Sequence, residues 1–250
     1  MSSPLLLLVD DAAEIAVLVE RLARRAGHEF VRWGDAESAW AYLQENQRRP
    51  DLVLLDVHLP GMSGLDWCRL VRATVDFQDL PLALFTQWGL PRDIAAGWQA
   101  GVDYVVSKDL VCLPKEWNER FGEILTVRNS RPQQLSLNWL ATELDSASTE
   151  SWRGFLAQAL RQLGLEVMQA VMLRALRDAP PAFSHDWLST DGLSLNFSLF
   201  AHLPRPSAAA KFLATVAQQV WCLLGSEAAA PCWQAAQLTP ISREILSPNG

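Results

Sequence analysis

No apolar run in the 250-residue chain reaches the roughly 18 residues that a membrane-spanning helix needs. Its start, Met1-Ser-Ser-Pro4 and then Leu5–Val9, has no basic segment, and the apolar stretch is too short for a secretory signal. A cytoplasmic protein without a membrane role is expected. Cysteine is scarce, and Cys68, Cys112, Cys222 and Cys232 lack the close pairing of zinc sites; they are expected to be reduced and structural. There is no Gly-rich phosphate loop and no nucleophile elbow. Positive charge is also thin. Residues 1–130 carry 13 Lys+Arg against 19 Asp+Glu, and residues 131–250 carry 8 against 9. Neither half has the basic stripe that grips a phosphate backbone, so on charge alone nucleic acid is not expected as a partner.

What the chain does have is apolar content, half of its residues, enough to bury a substantial core. In the first half that content alternates between two periods. Leu5–Val9 is a continuous apolar run, as expected of a strand covered on both faces. Residues 13–26 follow at helical spacing, with Gly27 placed to stop them. Strands are then expected at 29–33, 52–55, 81–85 and 102–106, and helices at 36–45, 64–75, 91–100 and 114–126. Asp35 suits the cap of the second helix, and Pro91 the first turn of the fourth. Five strands alternating with five helices imply an α/β fold, a doubly wound five-stranded parallel sheet, in which ligands bind beyond the carboxyl ends of the strands.

Those strand ends are where the polar residues stand. Strand one ends in Asp10-Asp11, strand three in Asp56, strand four in Thr86, and strand five shortly before Lys108. Three carboxylates gathered at one edge repel one another unless a cation intervenes. An all-oxygen set of this kind suits Mg²⁺, which keeps several waters and also binds phosphate oxygens. A lysine and a hydroxyl nearby supply donors for a phosphoryl group. Each residue alone has a plainer reading: Asp10 as a turn or cap, Thr86 as a strand-end hydroxyl, Lys108 as a solvated charge, His58 as an exposed loop side chain. Four strand ends carrying the right types in order outweigh those readings.

The ordered set Val9-Asp10-Asp11, Leu52-Val-Leu-Leu-Asp56-Val-His58-Leu-Pro60-Gly61-Met-Ser-Gly64, Phe85-Thr86 and Gly101-Val-Asp-Tyr104-Val-Val-Ser-Lys108 resembles the receiver domain of two-component response regulators, a flavodoxin-like fold, over residues 1–127. The resemblance implies that Asp56 is the phosphoacceptor and forms an acyl phosphate, with a histidine kinase or histidine phosphotransfer protein as donor. It implies Mg²⁺ held by Asp11, Asp56 and the backbone carbonyl of His58, with Asp10 acting through water. Lys108 would offset phosphoryl charge, and Thr86 would be the switch hydroxyl. Three positions depart from the family: Gln87 stands where a small residue is usual, Asp109 where proline follows the lysine, and Val105 where an aromatic is usual, with Tyr104 one place early. The proline's cis peptide is not expected here.

The second half reads as a linker or connecting helix at 128–148 and a mostly helical α+β domain at 149–250 of no recognised family. Residues 152–163 are amphipathic, after which Gly164 either ends the helix, with a strand beginning at Leu165, or interrupts a helix that runs to Arg177. A strand is expected at 193–199 and a helix at 208–224, stopped by Gly225, with an irregular tail from Pro231. His185, His202, Cys222 and Cys232 have no spacing that argues for a metal. This near-neutral, aromatic-rich half favours output through a protein partner or a homodimer. An enzymatic effector and a DNA-binding regulator are the alternatives.

Overall fold

The computed structural model describes residues 3–87, 91–129, 149–177 and 206–235. They fall into two compact units, residues 1–125 and 126–250.

The first unit follows the expected alternation. Strands β1 (Leu5–Val9), β2 (Glu29–Trp33), β3 (Leu52–Leu55), β4 (Leu82–Thr86) and β5 (Tyr104–Ser107) form one parallel sheet in the order β2-β1-β3-β4-β5. Helices α1 (Ala13–Arg25), α2 (Ala36–Glu45), α3 (Gly64–Ala73), α4 (Pro91–Ala100) and α5 (Pro114–Asn129) lie between and after them. Strands β1, β3 and β4 are buried throughout, which is why they read as unbroken apolar runs. At the sheet edge, β2 is partly exposed and correspondingly mixed in sequence. The fourth strand runs one residue later than expected, to Thr86, and the fifth begins at Tyr104 rather than Val102. The Gly101–Asp103 stretch is instead spent on the turn out of α4, where Gly101 takes a positive φ.

Local chemistry sets the helix starts. The Asp35 carboxylate accepts from Ser38 N–H (2.7 Å), and this bond holds its pKa below the ordinary value. Ser63 Oγ accepts from Asp66 N–H (3.2 Å) and so fixes the start of α3. Arg72, near the end of α3, donates to Gly101 O, Gln78 O, Leu80 O and the Asp103 carboxylate, tying α3 to the loops that flank β4. The order reverses between β1 and β3, so right-handed crossovers send α1 to one face and α2, α3 and α4 to the other. Consistent with this, α3 packs against both α2 and α4.

His28, between α1 and β2, has a buried Nδ1 without a hydrogen-bond partner among the described residues. Burial lowers its pKa from 6.5, and the Asp51 charge only partly opposes this. The folded state therefore binds fewer protons than the unfolded chain around that pH. The stability contributed by neutral His28 is complete above pH 6.5 and is lost as pH falls through the folded value. His28→Gln is expected to flatten the decline in melting temperature between pH 7 and pH 5; an unchanged slope would remove His28 as its source.

In the second unit, α6 (Thr149–Arg177) and α7 (Pro206–Ala235) pack against each other. Each is broken once, at Gly164 (φ 77°, ψ 171°) and Gly225 (φ 80°, ψ 172°), a conformation essentially confined to glycine. Of the two readings at Gly164, the interrupted helix running to Arg177 is the one observed, so no strand begins at Leu165. Gly225 interrupts α7 without ending it, and helix continues through Pro231 to Ala235 where an irregular tail was expected. The packing seam explains this: Ala229, Cys232 and Trp233 are buried, and Trp233 lies 5.1 Å from the Phe155 ring. Cys232 is a core thiol whose pKa burial raises to about 11. The strand expected at 193–199 and the helical stretch expected around 137–144 lie outside the described residues.

Candidate functional site

Four strand ends meet at one edge of the first unit. Asp10 directly follows β1, Asp56 directly follows β3, Thr86 is the last residue of β4, and Lys108 follows β5 at the start of a short 3-10 helix, Lys108–Cys112. The site sits where the strand order reverses, between β1 and β3, because adjacent helices leave in opposite directions there and open a crevice.

The backbone places Asp56 firmly. Its N–H donates to Val9 O (2.9 Å), and Gly64 N–H donates to Val57 O (3.0 Å), closing the loop beneath it. Val57 N–H reaches Asp56 Oδ1 (2.9 Å), and Lys108 Nζ lies 3.1 Å from Oδ2. The same ammonium lies 2.8 Å from Asp10 Oδ2, while Ala12 N–H donates to Asp10 Oδ1 (2.9 Å). Asp10 and Asp56 are buried and Asp11 is exposed.

Burial raises the Asp56 pKa, Lys108 opposes that rise, and the neighbouring Asp10 charge adds to it. For Lys108, burial works against the charge, but the hydrogen bond to Asp10 and the two carboxylate charges outweigh it and raise its pKa. The site is thus short of positive charge: one ammonium serves two buried carboxylates.

One ligand atom from each of Asp10, Asp11 and Asp56 lies within 4.8 Å of the others, the one such grouping among the described residues. Among those residues no donor reaches the Asp11 carboxylate. A hard divalent cation fits this all-oxygen, charge-deficient cluster. The His58 side chain points away. It is exposed, and its Nε2 lies 3.4 Å from Asp93 Oδ2 on α4, so it contributes no ring nitrogen to the cluster.

Thr86 is buried at the mouth of β4, in register with Ser107. Gln87 is exposed. Tyr104 and Val105 are both buried in β5. No cis peptide occurs among the described residues; Ser107 Oγ accepts from Asp109 N–H (3.1 Å), so Asp109 enters the 3-10 turn where the family's proline would stand. Two contacts were not foreseen in the sequence. Glu37 Oε1 on α2 accepts from Met62 N–H (3.0 Å), and Arg32 on β2 grips the loop that carries Asp10 and Asp11. The one sequence signal was an arginine inside an apolar strand, just before its end.

Comparison with known proteins agrees with this architecture. Residues 6–112 match the model of the response regulator receiver domain. The DNA-binding response regulator MtrA of Mycolicibacterium paratuberculosis is 30% identical over 184 residues, spanning 73% of this chain and 76% of that protein. The transcriptional regulatory protein AfsQ1 of Streptomyces coelicolor is 38% identical over 104 residues, 41% of this chain and 44% of that protein. Among solved structures, a candidate response regulator from Chloroflexus aurantiacus is 32% identical with a TM-score of 0.46, covering 50% of this chain and 98% of that one.

These relatives correct one expectation. Net charge argued against nucleic acid as a partner, yet proteins that match three quarters of the chain carry DNA-binding in their names. A sum over a domain says nothing about where its few arginines are gathered, and a handful on one face suffices for phosphate contact. Among the described residues, no helix is long and apolar enough to cross a membrane.

Proposed function

Because the chain belongs to the response regulators of two-component signalling, we propose that it is phosphorylated on Asp56 by a histidine kinase or a histidine phosphotransfer protein. A carboxylate oxygen of Asp56 attacks the donor's phosphorus, the donor's N–P bond breaks, and an acyl phosphate forms while the histidine leaves and takes up a proton. The observation that carries this reading is the shared ammonium of Lys108, 2.8 Å from Asp10 and 3.1 Å from Asp56. It stands where charge develops on the transferred phosphoryl oxygens.

Asp11, Asp56 and the His58 carbonyl would hold Mg²⁺, with Asp10 ordering a water. When bound, that cation would offset charge on the incoming phosphoryl group. Thr86, buried beside the cluster, is the hydroxyl we assign to answer the phosphoryl oxygen. Phosphorylation adds about −1.5 to −2 charges here, which biases a two-state receiver. For the output we propose contact of residues 126–250 with DNA, supported by the names of the relatives that span most of the chain.

The test is phosphotransfer followed by binding. Incubation with a radiolabelled, phosphorylated histidine phosphotransfer domain and Mg²⁺ is expected to move label onto the chain, in a form stable to acid and labile to alkali. Absence of transfer, both from that donor and from a small acyl phosphate, would sink the phosphorylation reading. Beryllofluoride-treated protein is expected to bind genomic DNA fragments with an affinity that falls steeply with salt. Beryllofluoride-dependent dimerisation with no DNA affinity at any salt would overturn the output reading and leave the phosphorylation reading intact.

A further inference from the structure

We infer that Arg32 is a positioning residue for the cation site: it holds the loop after β1 so that Asp10 and Asp11 present their carboxylates together. This rests on the proposed Mg²⁺ site and deepens it.

The geometry is a two-carbonyl clamp. Arg32 Nε donates to Asp10 O (3.2 Å), and Arg32 Nη2 donates to Asp10 O (3.0 Å) and to Asp11 O (2.9 Å). One planar guanidinium thus fixes two successive peptide carbonyls, a geometry that needs its rigid fork. Asp10 N–H donates to Trp33 O (3.0 Å), so β2 holds the segment by its N–H as well as by its carbonyls.

The clamp matters because these residues lie outside the regular sheet. β1 ends at Val9, and α1 begins at Ala13 with Ala12 as a cap that offers no side-chain hydrogen bond. The Asp10 side chain is anchored by Ala12 N–H and Lys108, but no donor among the described residues holds the Asp11 carboxylate. Backbone restraint from Arg32 is therefore what orients Asp11. Without it, each cation-binding event must also order the loop, and that entropy cost appears as weaker affinity.

Electrostatics alone predicts the reverse. A guanidinium near three carboxylates repels an incoming divalent cation, so its removal should tighten binding. The two accounts differ in sign, which makes the proposal decidable.

The experiment uses the full chain and Mg²⁺ itself, titrated by intrinsic tryptophan fluorescence and by isothermal calorimetry, in wild type, Arg32→Met, Arg32→Lys and Asp11→Asn. Arg32→Met is expected to weaken Mg²⁺ binding about 5- to 20-fold, and Arg32→Lys by less, since an ammonium reaches one carbonyl. Labelling by a small acyl phosphate should then need more Mg²⁺ for half-maximal rate yet recover its wild-type rate at saturation. Unchanged or tighter Mg²⁺ binding in Arg32→Met, with Asp11→Asn weakened, would overturn the Arg32 assignment alone. Wild-type binding in Asp11→Asn would overturn the cation site itself. Equal losses in Met and Lys variants that also melt far below wild type would overturn positioning in favour of a general structural role.

Discussion

Asp56→Asn is expected to abolish labelling by a small acyl-phosphate donor, leaving at most about a hundredth of the wild-type signal, because the amide keeps the shape and removes the nucleophile. The environment adds a second, opposite expectation. Burial and the adjacent Asp10 hold the Asp56 pKa above its ordinary value of 3.8 despite Lys108. A carboxyl raised in this way favours the fold when protonated. Its ionisation penalty is complete above the folded pKa and disappears as pH falls through that value toward 3.8. At pH 7, in metal-free buffer, Asp56→Asn should therefore melt higher than wild type. Loss of labelling together with a higher melting temperature would assign the loss to chemistry. Labelling that persists in this variant would end the assignment of Asp56, and a lower melting temperature would show that its pairing with Lys108 outweighs burial.

Gly64→Ala carries the largest expected structural effect. A Cβ built there would lie 1.8 Å from the backbone O of Asp56 and 2.9 Å from its carbonyl carbon. Neither atom can rotate away, as the far end of a side chain could. The peptide after Asp56 would have to shift, with the loop that Gly64 N–H closes onto Val57 O. A loss of about 3 kcal/mol or more is expected, a fall of roughly 10 °C in melting temperature for a domain of this size. Phosphorylation should fall in parallel, since the peptide that moves is the one that aims the nucleophile. Gly122 in α5 is the counterpart: nothing lies within 4 Å of a Cβ there, so Gly122→Ala should gain about 0.5–1 kcal/mol. Denaturant unfolding of the two variants checks both signs at once. Equal stability of Gly64→Ala and wild type would mean that the loop has slack not visible in its hydrogen bonds.

The two glycines also show how differently information is stored in this chain. The Pro60-Gly61 and Gly64 pattern was legible as turn chemistry, but its reason was not. Gly61 needs its positive φ and crowds the Glu37 carboxylate, and Gly64 needs room for the carbonyl of a residue eight positions earlier. Such distances belong to the packed loop. The second unit was harder for a related reason. Gly164 and Gly225 were visible as breaks, yet whether helix resumes beyond them depends on α6 and α7 burying each other's apolar faces. Periodicity within one segment cannot report on its partner.

By itself, the sequence determined the alternation of strands and helices, the parallel sheet, and the four strand ends that carry Asp10, Asp56, Thr86 and Lys108. Burial on both faces demands unbroken apolar strands, and chemistry at a sheet edge demands polar residues directly after them; both leave marks in linear order. Only the tertiary structure decided that one lysine bridges two carboxylates, that Arg32 clamps the acidic loop from a neighbouring strand, and that Asp93 rather than solvent faces His58. Those contacts join residues 21 to 98 positions apart through short hydrogen bonds and ion pairs, whose partners are set by the register of β1 against β2 and β3. Charge summed along the chain is blind to such placement, which is also why it misjudged nucleic acid.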